Sequence, residues 1–79
     1  MNEIQQIRQH ILERYRLDPK IRINVSLAKP KLRLNDVPVK ITGVYANIFQ
    51  IEEVTDGQAR RHTLQYADVL THNIEILDL

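Results

Sequence analysis

The sequence predicts a mainly β (α+β) fold, in which one N-terminal helix is followed by five short strands. Two patterns in its 79 residues predict this order. Apolar residues recur with a helical period over residues 1–18, and over residues 21–77 they alternate with polar residues. No linker-like or low-complexity segment divides the chain. We therefore expect residues 1–79 to form a single domain.

Residues 1–18 have the pattern of an amphipathic helix. The apolar side chains fall on one stripe of such a helix, at Ile4, Ile7, Ile11, Leu12 and Tyr15. Asn2 is a favourable N-cap, because its side chain can accept a hydrogen bond from a backbone N–H group of the first turn. Pro19 disfavours helical geometry at Asp18, so the helix is expected to end there. His10 lies off the apolar stripe and is expected to be exposed.

The first predicted strand begins at Ile21, where the apolar period changes to two. In a strand, Ile21, Ile23 and Val25 would share one face and Arg22 would lie on the other. Pro30 follows in the connection to the next strand, since proline cannot donate to a central ladder. This strand is therefore expected to have one apolar and one polar face.

A long second strand is predicted over residues 31–45, and we expect it to be bent twice. Its apolar residues lie at even positions up to Leu34 and at odd positions from Val37 onward. Such a shift would turn side chains to the wrong face unless a bulge or turn absorbs the extra residue. The Asn-Asp segment 35–36 is the expected place of the first bend, and Gly43 is that of the second.

Three shorter strands complete the prediction. A turn is expected at residues 45–47, and the Asp56-Gly57 pair predicts a tight hairpin between the third and fourth strands. Residues 67–70 are predicted to form a single 3₁₀ turn, because the segment is too short for a typical α-helix. The final strand is predicted at residues 74–76.

Five short strands of this kind favour a small closed barrel of SH3-like or Sm-like type over residues 21–77, because closure removes exposed strand edges. Tyr66 and Leu70 are expected to lie inside this barrel. The Asp68 side chain is expected to hydrogen-bond backbone amides across the turn.

The composition argues against an enzyme. The sequence has no cysteine, and Ser26 is its only serine. His10, His62 and His72 lie on three different predicted elements, at spacings that do not place two of them on one metal. Only two glycines are present, so there is no glycine-rich phosphate loop. We therefore expect no catalytic residues, no cofactor and no metal site.

The sequence also lacks the features of a membrane or secreted protein. No apolar run approaches the length of a transmembrane helix. The N-terminus has neither the basic start nor the apolar stretch of a secretory signal. We therefore expect a cytoplasmic protein that does not interact with membranes.

Charge is distributed unevenly between the two halves of the chain. Residues 1–40 hold nine Lys and Arg residues against four acids, for a net charge of +5, and residues 41–79 have a net charge of −4. Such asymmetry is compatible with an anionic partner for the first half, or with attraction between two halves of one fold. The residues proposed to contact a nucleic acid or a protein partner are Arg22, Lys29, Lys31, Arg33 and Lys40. The alternative is a solvated strand face that discourages edge pairing.

Three stretches of the second half resemble the Veg family of Gram-positive bacteria. They are residues 45–51 (YANIFQI), residues 64–71 (LQYADVLT) and the closing strand at 74–76 (IEI). The YADVLT stretch is the specific part of this resemblance, which extends over residues 21–77. The sequence departs from the family pattern at Ala46, where proline is usual, and in the loop before Lys31, where Lys-Pro replaces a glycine pair.

The resemblance implies a small cytoplasmic regulatory protein that stimulates biofilm formation through effects on matrix-gene expression. It implies no catalytic or cofactor-binding residues. The expected partner is another regulatory protein, such as a repressor, and DNA or RNA is the alternative. Self-association into a homodimer is a further option, because an unclosed strand edge can pair two copies.

Overall fold

The computed structural model describes residues 2–29, 31–55 and 57–77. In chain order, the elements are α1 (Glu3–Leu17), β1 (Lys20–Ala28), β2 (Lys31–Val44), β3 (Ile48–Thr55), β4 (Gln58–Gln65), α2 (Tyr66–Leu70) and β5 (Ile74–Ile76). This order of one helix followed by a mainly β region is the predicted one. Neither helix among the described residues has the length and apolarity needed to cross a bilayer.

Helix α1 begins and ends close to its predicted limits. The Oδ1 atom of Asn2 accepts a 2.8 Å hydrogen bond from the backbone N–H of Gln5, which caps the first turn. At the other end, the N–H of Asp18 donates to the carbonyl of Arg14. Ile11 is fully buried on the inward side of the helix, and His10 is exposed as expected.

The five strands form one antiparallel sheet in the order β4-β3-β2-β1-β5. The predicted closed barrel is not confirmed, because β4 and β5 lie at opposite edges of this sheet and the described residues do not pair them. Closure is a long-range property of the sheet, and the alternation of apolar residues along single strands does not determine it.

Strand β2 is bent twice, as predicted. Ile23 pairs with Val37 and Val25 pairs with Leu34, so β2 has one more residue than β1 in this interval. Asp36, in that interval, has a left-handed φ of 51°. This bulge absorbs the shift in the apolar alternation and keeps both halves of β2 facing the core.

The second bend lies at Gly43. Ile41 pairs with Ile51 and Gly43 pairs with Gln50, which leaves one extra residue in β2. The ring of Tyr45 covers Gly43 so closely that a Cβ atom there would lie 2.7 Å from the ring. A glycine therefore fits both the bulge and the close approach of the aromatic ring.

The predicted 3₁₀ turn before β5 is wrong, since residues 66–70 form one short α-helical segment. The N–H of Thr71 donates to the carbonyl of Ala67 at 3.1 Å, which is an α-helical hydrogen bond. The backbone rather than the Asp68 side chain connects the two sides of the turn, because the Asp68 carbonyl accepts from the N–H of Asn73 at 2.9 Å.

The core lies between the helices and one face of the sheet. Its fully buried side chains include Phe49 and Tyr66, whose rings stack at 5.5 Å between centroids. Tyr66 is therefore buried as predicted. The prediction for Leu70 is wrong: 38% of its surface is exposed, because α2 turns this side chain away from the core.

A basic outer face of the sheet as the candidate binding surface

The face of the sheet that points away from the core carries most of the candidate residues. In β1, Ile21, Ile23 and Val25 are buried, so the side chains between them lie on the opposite, outer face. The charged residues that share this face, from their register, are Lys20, Arg22, Lys31, Arg33, Asp36, Lys40, Glu52, Arg61 and Glu75. Basic residues outnumber acidic ones there.

One of the predicted contact residues is already engaged within the protein. The Nε atom of Arg22 lies 2.7 Å from Oδ1 of Asp36, and its Nη2 atom donates to the Asp36 carbonyl. This hydrogen bond from the guanidinium group lowers the pKa of the Asp36 carboxyl group. Arg22 therefore stabilises the bulge at Asp36, and its charge is largely compensated.

A second pair on the outer face joins β3 to β4. The Nε atom of Arg61 lies 3.3 Å from a carboxylate oxygen of Glu52. The two residues are direct cross-strand neighbours, a position that favours opposite charges. Arg61 was not among the predicted contact residues, and this pair leaves little of its charge uncompensated.

The remaining basic residues form two separate groups. The hairpin cluster consists of Lys29, Lys31 and Arg33 at the end of the β1–β2 hairpin, and the lysine pair consists of Lys20 and Lys40 near the other end of that ladder. All five are exposed, and none forms an ion pair with another described residue. From the rise per residue of a strand, the two groups are on the order of 20 Å apart.

The structure thus brings together three of the five predicted contact residues. Lys31 lies opposite Ala28, and Arg33 lies opposite Ser26, which places both beside Lys29. Lys40 belongs to the distant lysine pair. Its neighbour Lys20 was missed, although it precedes Arg22 by two residues and therefore lies on the same face of β1.

The three histidines lie at different places in the described structure. His62 lies on the core side of β4, with its Nε2 atom 3.0 Å from a carboxylate oxygen of Glu53. His10 and His72 are exposed and border a hollow between α1 and α2. Within the described ranges, no three His, Asp or Glu residues are placed to hold a metal ion.

A comparison with known families identifies the chain. The family model VEG, described as biofilm formation stimulator VEG, matches residues 2–77. The chain belongs to the VEG family. The match includes α1 as well as the sheet, so it extends the predicted resemblance toward the N-terminus. No curated protein and no solved structure matches the chain.

The stretches that suggested the VEG family serve mainly the fold. Tyr66, in the YADVLT stretch, is buried against Phe49 of the YANIFQI stretch, and its hydroxyl group donates to the backbone carbonyl of Tyr45. Ile74 of the closing strand is also buried. The basic residues on the outer face of this VEG protein therefore lie outside the stretches that carry the resemblance.

Proposed function

We propose that this VEG-family protein is a non-enzymatic regulator that stimulates biofilm formation by binding another protein, for example a repressor of matrix genes, in the cytoplasm. The contact surface in this proposal is the hairpin cluster of Lys29, Lys31 and Arg33, together with the neighbouring part of the outer face. The partner would present acidic groups to the hairpin cluster and basic groups to the acidic residues beside it.

The mixed charge around the hairpin cluster is the observation that supports a protein partner. Arg33 and Glu75 border the same polar hollow, of about 450 Å³, on the outer face. Asp36 lies further along β2 and forms an ion pair with Arg22. A folded protein can match such alternating charges, whereas the continuous phosphates of a duplex would also meet the acidic groups.

A nucleic acid is the second candidate partner, and one observation favours it. The three basic side chains of the hairpin cluster have no ion-pair partner among the described residues, so their charges are available to phosphates. Binding of this kind weakens steeply with salt, because each neutralised phosphate releases counterions.

Charge reversal in the hairpin cluster tests the proposal. Wild type should capture a partner protein from the native cytoplasm both with and without nuclease treatment. The K31E/R33E double variant should fail to capture this protein under either condition. The matched control is R16E/R60E, which changes the net charge equally at exposed residues away from the cluster. It should retain the captured protein.

Each remaining outcome of this experiment has a definite meaning. If nuclease abolishes capture and wild type is retained on a polyanion column at low salt only, the nucleic-acid candidate replaces the protein partner. If K31E/R33E and R16E/R60E capture the same proteins as wild type, the hairpin cluster is not the contact surface.

A further inference from the structure

A hollow on the outer face opens where the ladder between β2 and β3 ends. The last recorded pair of that ladder is Lys40 with Glu52. Pro38 lies two residues before Lys40, at the next position of β2 where a backbone N–H group would point toward β3. Proline has no N–H group to donate. Beside this point lies a hollow of about 390 Å³, lined by residues 20–22 of β1, residues 38–40 of β2 and Glu52 of β3, and Pro38 forms part of its apolar lining. We call it the Pro38 hollow.

Two like charges meet at the rim of the Pro38 hollow. Lys20 and Lys40 are cross-strand partners, and both line the hollow. The N–H of Ile41 donates to the carbonyl of Pro19, so the two lysines form a non-hydrogen-bonded pair. In such pairs the side chains lie closest, with Cβ atoms about 4.5–5.5 Å apart, and like charges are destabilising.

Charged neighbours relieve this repulsion only in part, because Glu52, the cross-strand partner of Lys40 in β3, also pairs with Arg61. Glu52 lies at the rim, but its carboxylate is shared with Arg61. Arg22 also lines the hollow, and its guanidinium group forms an ion pair with Asp36. Neither lysine forms an ion pair within the part of the chain that the structure describes. The rim therefore carries more positive than negative charge, and its two lysines are direct cross-strand partners.

We infer that the Pro38 hollow binds the phosphate group of a small phosphate monoester. A monoester carries a charge of about −1.5 to −2 at neutral pH, which matches the two ammonium groups. The volume of the hollow exceeds that of a phosphate ion and falls within the usual range of ligand pockets. Its apolar lining at Pro38 provides a surface for the organic part of the ester. This inference does not depend on the proposed protein partner.

Titration calorimetry with two probes tests the inference. Inorganic phosphate should bind wild type, and phenyl phosphate should bind more tightly because its ring covers Pro38. K20Q and K40Q should each weaken phosphate binding by roughly tenfold, the usual effect of one lost charge-assisted hydrogen bond. R16Q removes an exposed positive charge outside both the hollow and the hairpin cluster, and this variant should bind as wild type does.

A ligand-free measurement provides an independent check on the lysine pair. Because each substitution removes a like-charge repulsion, K20Q and K40Q should melt at or above the wild-type temperature at low salt. Absence of phosphate binding by wild type, or equal weakening in R16Q, would overturn the inference. Equal affinity for the two probes would contradict the role of Pro38. If K31E/R33E still binds phosphate, the phosphate site is distinct from the hairpin cluster.

Discussion

The hydroxyl group of Tyr66 donates a 2.7 Å hydrogen bond to the backbone carbonyl of Tyr45. This bond joins the start of α2 to the turn between β2 and β3. The Tyr66 ring is fully buried and stacks on Phe49. Burial raises the pKa of the Tyr66 phenol, so the hydroxyl group remains protonated and can donate at neutral pH.

Replacing Tyr66 by phenylalanine should lower the free energy of unfolding by about 1–2 kcal/mol, because the Tyr45 carbonyl loses its donor while the ring remains. Urea denaturation of wild type and Y66F measures this difference. Y15F is a suitable control, since the Tyr15 hydroxyl makes only a 3.4 Å contact at the partly exposed carbonyl of Thr42. An equal loss in both variants would argue against a special role for the Tyr66 bond.

The ion pair of Asp36 should make stability depend on pH in the acid range. The pKa of Asp36 is lowered in the folded protein from a reference value of 3.8, mainly by the hydrogen bond from Arg22. As the pH falls, the unfolded chain therefore takes up the proton first. The stabilisation is present above the unfolded-state pKa and is lost as the pH falls through the folded-state pKa.

Replacement of Asp36 by asparagine should remove this part of the acid destabilisation, while asparagine still tolerates the left-handed backbone. Urea midpoints should thus fall less steeply below about pH 4 in D36N than in wild type. Glu75 provides the control, because it is exposed on the same face and has no ion pair among the described residues. A D36N profile parallel to those of wild type and E75Q would contradict the prediction.

Gly43 and Tyr45 should be energetically coupled. A methyl group at Gly43 would lie 2.7 Å from the Tyr45 ring, so G43A forces this exposed ring to move. We expect a loss of about 1 kcal/mol in wild type. In the Y45A background the ring is absent, and the same substitution should be neutral or slightly stabilising. A double-mutant cycle from urea denaturation measures the coupling, and strictly additive effects would disprove it.

Ile11 should anchor α1 to the sheet. Its side chain is fully buried, and truncation to alanine should cost about 2–5 kcal/mol because it leaves a cavity in the core. Leu17 of the same helix is 86% exposed, so L17A should change stability by less than about 0.5 kcal/mol. Thermal unfolding of the two variants provides the comparison. Similar losses at both positions would contradict a special role for the burial of Ile11.

Features that depend on neighbouring residues could be predicted from the sequence. The shift in apolar alternation between Leu34 and Val37 located the first bulge, because side chains on a strand must alternate between its faces. The N-cap at Asn2 and the helix end before Pro19 were also predictable, since each depends on one residue and its immediate neighbours in the sequence.

Features that depend on pairing between distant segments could not be predicted. The position of Lys40 opposite Lys20 follows from the β1–β2 register, which the first bulge in β2 displaces by one residue from simple counting. The openness of the sheet and the outward turn of Leu70 depend likewise on how whole elements pack. The sequence therefore indicated a basic face but did not divide it into the hairpin cluster and the lysine pair.

The pairing of β1 with β5 has a consequence for how the protein is made. Ile23 pairs with Ile76, which is far from it in the sequence, so β1 lacks one neighbour until β5 has left the ribosome. Pairing across such a sequence separation is slow, because a long loop must close before the contact forms. A nascent chain halted before β5 has emerged would therefore expose one edge of β1 to other newly synthesised chains.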